Sequence, residues 1–261
     1  MTQHIKITMD AMAVKFFVSL PDCTQEAECR KAVYQEAVKR AYGDMSRHTL
    51  RYDADEFQGN SKSANDNKEK LKTEIAKYLS NEENNVLGAQ SKSEYDSIHN
   101  RLCKKVSDIF TGEEVIVTGK DGKGIRPLEA TPQNCKDPEK RKKTFSMGQA
   151  QKVVNMVWKY VYLFYQYYHA TDNKLFDSEL MQFNNVIPFL HAPVDGFVIE
   201  AATKKKPTYL EKKIKKPNWP WSQLNYEEYM DFQNDLLTEL EKDDECPFLW
   251  ELKNWPFPDR K

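Results

Sequence analysis

Hydrophobic residues recur at helical spacing along most of this chain. Apolar positions three and four residues apart place one nonpolar face on a helix. Gly43 is expected to end the first such helix, because glycine is a common helix terminator. Residues 174–190 are predicted to form a lesser helix or a loop. The clear amphipathic patterns predict helices over residues 26–42, 68–80, 93–110 and 225–241.

The most hydrophobic segment spans residues 148–168, and nearly every side of it is apolar or aromatic. A helix of this composition is expected at the centre of the protein. At about 100° per residue, its few polar side chains fall in one narrow stripe. Two interpretations stay open: the stripe faces solvent, or it lines a cleft. The residues of the stripe are Lys152, Asn155, Lys159 and Gln166.

The segments between the predicted helices are polar or rich in glycine and proline. Residues 53–67 read as a polar loop, and a Val-Ile-Val run followed by three glycines predicts a possible β-hairpin near residues 113–126. Pro193 and Asp195 mark a helix start. The aromatic residues near the C-terminus are expected to pack back onto the core. The chain is therefore predicted to be mainly α, with residues 1–143 and 144–261 forming two parts of one compact unit.

The composition excludes several classes of protein. The 261 residues are 39% hydrophobic and 12% aromatic, which is too much apolar surface for a wholly disordered chain. No apolar run reaches the roughly 18 residues of a membrane span, and the first residues lack a signal-peptide pattern, so a cytoplasmic protein that contacts no membrane is expected. The five cysteines are widely spaced without a Cys-x-x-Cys pair, which predicts free thiols, no metal site and no other cofactor.

The charged residues are unevenly distributed although the formal net charge is only −1. Lysine-rich runs lie at residues 136–143 and 203–216, whereas residues 227–251 contain ten acidic residues and one lysine. A chain that is neutral overall can still present one basic face to a nucleic acid. Solvated loops are the alternative explanation for the lysine runs.

Two short motifs carry a resemblance to a known family. The sequence from Gly148 to Val153, GQAQKV, resembles the hairpin-to-helix turn of helix–hairpin–helix DNA glycosylases, with Lys152 at the helix start. Downstream, Ala192-Pro193-Val194-Asp195 is similar to the Pro-Val-Asp segment of that superfamily. The 8-oxoguanine glycosylases, including their archaeal branch, are the most similar members. The resemblance covers residues 144–201, with Ala150 in place of the second hairpin glycine and a longer interval between the lysine and the aspartate.

The resemblance implies a fold, a reaction and a substrate. It implies two helical subdomains with a central cleft, and excision of an oxidised or otherwise modified base from double-stranded DNA by a monomer. Lys152 would attack the sugar, and Asp195 would stabilise the cationic transition state. The role would be base-excision repair or defence against modified phage DNA. A non-catalytic α-helical interaction protein is the alternative, in which Lys152 and Asp195 would lie far apart or be fully solvated.

Further residues are predicted to contact the DNA around this site. Trp219 and Trp221 are instead expected to anchor the core, and core packing is the alternative for the aromatic residues among the pocket candidates. The predicted DNA-binding residues are Gly148, Gln149, Gln151, Lys140, Arg141, Lys142, Lys143, Lys204, Lys205 and Lys206. The candidates for a pocket around the extruded base are Asn155, Trp158, Lys159, Tyr162, His191 and Phe197.

Overall fold

The computed structural model describes residues 26–49, 62–81, 84–111, 146–171, 174–203, 210 and 213–254. These residues are mainly helical and include no β-strand, so the predicted mainly α fold is confirmed for them. The predicted β-hairpin near residues 113–126 lies outside the described residues. The helices are α1 (Glu26–Thr49), α2 (Lys62–Leu79), α3 (Lys92–Thr111), α4 (Met147–Ala170), α5 (Asp177–Val186), α6 (Gly196–Thr203), α7 (Tyr226–Leu240) and α8 (Pro247–Asn254).

Helix α4 lies at the centre of the molecule, as its composition predicts. It packs against α1, α3 and α5, and every residue from Gly148 to Gln166 is buried. Its first turn carries a capping box, in which the Ser146 hydroxyl accepts the Gln149 amide and the Gln149 side chain accepts the Ser146 amide. This central helix therefore gives the site a rigid base.

Two hydrophobic clusters form the core. The larger cluster combines apolar residues of α1 to α5 with residues of α8. The smaller cluster is built from the segment after residue 190, α6, α7 and Trp250. The polar stripe of α4 is buried, with Lys159 at 0% exposure. The interpretation that the stripe faces solvent is therefore wrong.

Several predicted boundaries differ from the observed ones. Helix α1 continues through Gly43 to Thr49, so the predicted end at that glycine is wrong. The apolar face of α1 extends past the glycine, because Met45 is fully buried in the larger cluster. Helix α2 begins at Lys62, inside the predicted polar loop. Near the C-terminus, Phe248 and Trp250 of α8 are buried, which confirms that these aromatic residues pack onto the core.

Three cysteines fall within the described ranges. Cys29, Cys103 and Cys246 are buried free thiols. Cys23 and Cys135 lie outside the described residues. None of the helices in these ranges is both long and apolar enough to cross a membrane.

Candidate active site

Lys152 and Asp195 form an ion pair between α4 and the start of α6. The Lys152 Nζ lies 3.2 Å from the Asp195 Oδ2, and their side chains are 7% and 16% exposed. Lys152 lies in the second turn of α4, and Asp195 immediately precedes α6. The structure thus brings together the two residues that the sequence motifs single out, in a largely desolvated contact.

The backbone of α6 fixes the orientation of the Asp195 carboxylate. Asp195 Oδ1 accepts hydrogen bonds from the amides of Phe197 and Val198, at 2.9 and 3.0 Å. Asp195 therefore caps the helix that the sequence predicts to start here, and the positive end of the helix dipole favours its negative charge. One carboxylate oxygen is used for the cap, and the other faces Lys152.

Trp221 covers the other side of the lysine. The Lys152 Nζ lies 4.8 Å from the centroid of the Trp221 ring, within the range of a cation–π interaction. Trp221 begins a short 3₁₀ turn, Trp221–Gln223, that packs against α4. The ammonium group is thus held between a carboxylate and an aromatic ring.

A groove of about 1050 Å³ lies next to this pair, although neither Lys152 nor Asp195 belongs to its lining. Trp221 contacts Lys152, and Gly196 follows Asp195 in the chain. Both Trp221 and Gly196 line the groove. One wall consists of α6, with Ile199, Glu200 and Thr203, and the other is the segment 213–221. Within the described lining the charged side chains are those of Glu200, Lys213, Lys215 and Lys216, all of them exposed. The groove is therefore basic and partly aromatic.

Trp219 and Trp221 are groove residues as well as packing residues. Both are half-buried, pack against the smaller hydrophobic cluster and line the groove. The prediction that this pair anchors the core is confirmed, and the groove is an additional feature of the same two rings. The signal for the groove was the lysine run next to two tryptophans, but only the fold shows that both rings line one groove and that Trp221 also contacts Lys152.

The polar stripe continues with a second ion pair, deeper in the protein. The Lys159 Nζ lies 2.8 Å from the Glu251 Oε1 of α8, and both side chains are buried. Burial lowers the pKa of Lys159 and raises that of Glu251, while each partner opposes the shift of the other. The negative charge of Asp195 raises the pKa of both residues, so this pair lies within electrostatic reach of the candidate site. Lys159 is therefore an ion-pair residue of the interior and not a base-pocket residue.

Asn155 and His191 belong to a buried hydrogen-bond network. Asn155 donates to the Tyr229 hydroxyl at 2.9 Å, and its Oδ1 lies 3.0 Å from His99 Nε2. His191 lies 2.8 Å from the Tyr229 hydroxyl and 3.0 Å from an Asp96 carboxylate oxygen. Burial lowers the pKa of both histidines, so each is held neutral. The prediction that Asn155 and His191 line a base pocket is wrong, because both side chains are buried and bind the buried Tyr229 hydroxyl.

Trp158 and Tyr162 are also core residues. Trp158 makes edge contacts with Tyr34 and Phe183, and the ring of Tyr162 packs near Phe183 and Phe248. Core packing, the alternative expected for these aromatic residues, is therefore correct. Phe197 differs from the other pocket candidates because it is 41% exposed and lies two residues after Asp195.

The start of α4 is not available to a DNA backbone. The Gly148 amide donates to the Leu224 carbonyl at 2.9 Å, and the Gln149 amide is used in the capping box. Gln151 is 1% exposed and bonded to the backbone of Gly148 and Val194. The prediction that Gly148, Gln149 and Gln151 contact DNA is wrong, since the 3₁₀ turn covers this helix end. The other DNA-binding candidates, Lys140, Arg141, Lys142, Lys143, Lys204, Lys205 and Lys206, lie outside the described residues.

No protein-family model, curated protein or solved structure matches this chain. The chemistry of the site is therefore argued from its own geometry. Among the described residues, no group of three or more His, Cys, Asp and Glu side chains could hold a metal ion. The chemical groups that the described site offers are a lysine amine, a carboxylate, two indole rings and a lysine-rich rim.

Proposed function

We propose that this protein is a DNA glycosylase that excises an oxidised or otherwise modified base, with Lys152 as the nucleophile and Asp195 as the catalytic carboxylate. The observation that supports this proposal is the 3.2 Å contact between the two side chains, next to a basic, aromatic groove. In the alternative, a non-catalytic interaction protein, the two residues would lie apart or be fully solvated. Their burial and contact favour the enzyme.

The groove has the chemistry that an extruded nucleotide requires. A base must leave the duplex before an enzyme can act on its glycosidic bond. The rings of Trp219 and Trp221 offer apolar faces for a base, and stacking on an aromatic ring stabilises a base by about 1–3 kcal/mol in single-strand binding proteins. The ammonium groups of Lys213, Lys215 and Lys216 offer sequence-independent contacts to phosphates. A sugar bound where Gly196 and Trp221 line the groove would be next to the residues that these two adjoin, Asp195 and Lys152.

Excision breaks the bond between the base and the sugar C1′, and the bonding electron pair leaves with the base. Positive charge then develops on the sugar, as in the hydrolysis of glycosides. The Asp195 carboxylate, fixed by two amides, is preorganised to stabilise that charge. The Lys152 amine forms the new bond to C1′ after losing one proton, and the departing base gains one.

The covalent product of this step accounts for the proposed lyase activity. Opening of the sugar ring converts the lysine adduct into a Schiff base. The Schiff base acidifies the hydrogen atoms on C2′, and loss of one of them to solvent breaks the C3′–O bond with the phosphate as leaving group. Repair of oxidised DNA and defence against modified phage DNA both use this chemistry, so the identity of the excised base distinguishes them.

Borohydride trapping tests the proposal directly. The full-length chain is incubated with duplexes that each contain one oxidised, deaminated, alkylated or hypermodified base, or an abasic site, and the Schiff base is reduced. We expect a covalent adduct on at least one duplex and its loss in Lys152→Met, which keeps the apolar stem of the lysine. Base release should fall about 100-fold or more in Asp195→Asn, because asparagine still caps a helix but carries no charge.

The control for this experiment is Lys104→Ala, which removes an exposed lysine on α3. This variant should form the same adduct at the same rate as the wild type. Base release without an adduct would indicate a glycosylase that uses water instead of Lys152. An absence of adduct, base release and DNA binding at low salt would contradict the proposal and favour the interaction protein.

A further inference from the structure

The segment that leads into Asp195 is bound along its backbone by side-chain amides from two helices. His191, Ala192, Pro193 and Val194 are all buried. Gln151 of α4 binds both backbone groups of Val194: the Val194 amide donates to Oε1 at 3.2 Å, and Nε2 donates to the Val194 carbonyl at 2.8 Å. A backbone segment buried without a neighbouring strand needs such partners.

Gln233 of α7 binds Ala192 in the same way. The Ala192 amide donates to Oε1 at 3.3 Å, and Nε2 donates to the Ala192 carbonyl at 2.6 Å. In an extended chain, the backbone groups of residues two apart point to the same edge. Pro193 lies between Ala192 and Val194 and has no backbone N–H group. The opposite edge of the segment therefore carries no N–H donor at Pro193 that would need a partner. The two glutamines therefore pair with this segment as a neighbouring strand would.

The Gln151 side chain is held in one orientation. Its Nε2 also donates to the Gly148 carbonyl at 2.8 Å, and its Oε1 also accepts a bond from Asn155 at 3.1 Å. Both donor hydrogens and both acceptor sites of the amide are thus used. A fully bonded buried amide cannot rotate without losing several bonds at once, which makes it a rigid support for Val194.

We infer that Gln151 and Gln233 are positioning residues that hold the backbone before α6 so that the Asp195 carboxylate meets Lys152. Val194 is bonded directly to Asp195, so any rotation of the Val194 backbone displaces the carboxylate from its helix cap and from the lysine. A displacement of about 1 Å can reduce a catalytic rate about 100-fold. The effect on catalysis rests on the proposed function, whereas the effect on the position of Asp195 does not.

Gln149 provides a matched control for Gln151. Both are glutamines of the first turns of α4, and each is 1% exposed. The side chain of Gln149 accepts the Ser146 amide in the capping box, on the helix to which it belongs. Gln149→Met and Gln151→Met therefore both remove a buried amide, but only Gln151→Met removes the partner of Val194.

Amide hydrogen exchange on the full-length chain tests the positioning without any DNA. In Gln151→Met we expect the Val194 amide to exchange at least about tenfold faster than in the wild type, after correction for global stability with amides of α3. The amides of Phe197 and Val198, which Asp195 caps, should accelerate together with it. Gln149→Met should leave the corrected exchange of all three amides unchanged.

Two results of this exchange experiment would overturn the inference. Unchanged exchange at Val194 in Gln151→Met would show that the amide is not held by this side chain. Faster exchange at Val194 alone, with Phe197 and Val198 unaffected, would show that Gln151 only satisfies a backbone group and does not position Asp195. If Gln151→Met does not fold, Gln233→Met provides the same test from α7, read at the amides of Ala192, Phe197 and Val198.

Single-turnover kinetics on the duplex found by borohydride trapping test the effect on catalysis. We expect Gln151→Met to lower the rate of base release about 10- to 100-fold while the Kd for the duplex changes less than about threefold. A wild-type rate in a variant whose Phe197 and Val198 amides exchange faster would overturn the catalytic part. If the wild type releases no base from any duplex, the proposed function fails, and the exchange experiment alone decides whether the two glutamines position Asp195.

Discussion

The two lysines on the polar stripe of α4, Lys152 and Lys159, differ in the free-energy cost of their burial. Lys152 faces a carboxylate that retains some exposure, whereas Lys159 and Glu251 are both desolvated. The Oε2 atom of Glu251 has no hydrogen-bond partner among the described residues. A buried ion pair often contributes little net stability, because the desolvation penalty offsets the attraction, but removal of one partner leaves a costly charge.

Replacement of this pair tests that explanation. Glu251→Leu removes the carboxylate that faces the Lys159 ammonium, and we expect the free energy of unfolding to fall by about 3–5 kcal/mol. The double variant Lys159→Met, Glu251→Leu should recover most of that loss, because no charge then remains at either position. Urea denaturation of the wild type, both single variants and the double variant measures the coupling between the two residues. Additive losses in the double variant would contradict the prediction.

At the scale of elements, the start of α4 and the turn Trp221–Gln223 fit together through a glycine. A Cβ on Gly148 would lie 2.0 Å from the Trp221 carbonyl oxygen and 3.1 Å from the Leu224 nitrogen. The Gly148 amide also donates to the Leu224 carbonyl. This close approach places Trp221 over Lys152. Gly148 of the sequence motif therefore positions the turn Trp221–Gln223 of this protein and does not contact a DNA backbone.

Gly148→Ala is therefore expected to be destabilising. The methyl group would meet backbone atoms, which cannot move aside as a side chain can, and the loss in unfolding free energy should be about 1–3 kcal/mol. Gly43→Ala in α1 is the matched control, because a Cβ added at Gly43 would meet nothing within 4 Å. Urea denaturation should show that Gly43→Ala gains about 0.5–1 kcal/mol, since alanine favours the helix more than glycine does. The same sign for both variants would contradict this explanation.

At the scale of the whole molecule, a buried polar network joins four parts of the chain: α3, α4, α7 and the segment that precedes α6. His99 and His191 lie in it with ring centroids 4.8 Å apart. Burial lowers the pKa of His99 well below its ordinary value and also lowers that of His191, where Asp96 opposes the shift and Lys92 supports it. The folded protein therefore holds two neutral histidines that the unfolded chain would protonate near pH 6.5.

This difference predicts a loss of stability in mild acid. As the pH falls below about 6.5, the unfolded state binds protons that the folded state does not, so the free energy of unfolding falls, by at most about 1.4 kcal/mol per pH unit for each buried histidine. The loss ends once the pH falls below the folded pKa values. Urea denaturation between pH 7.5 and 5.5 measures the slope, which should be less steep in His99→Phe. An equal slope in both proteins would contradict the assignment to the histidines.

The helices and the central position of α4 could be predicted because each depends on local spacing. The apolar period of residues 93–110 and 225–241 appears with nearly the same bounds in α3 and α7. The end of α1 could not be predicted, because a local rule for Gly43 competes with the burial of Met45, which depends on a distant partner. The start of α2 at Lys62 could not be predicted for a different reason, because a polar stretch gives no periodic signal.

At the site, the sequence by itself determined which residue types are available: a lysine in the second turn of an apolar helix, an aspartate at a helix start, and lysines next to two tryptophans. These residue types and their positions in the helices can be recognised from neighbouring residues in the sequence. Only the tertiary structure decided which of them meet. It brought Lys152 to Asp195, turned Gly148, Gln149 and Gln151 inward, placed Trp219 and Trp221 along a groove, and gave Lys159 the partner Glu251. The physical reason is that burial and pairing depend on residues distant in the sequence, and no local pattern contains that information.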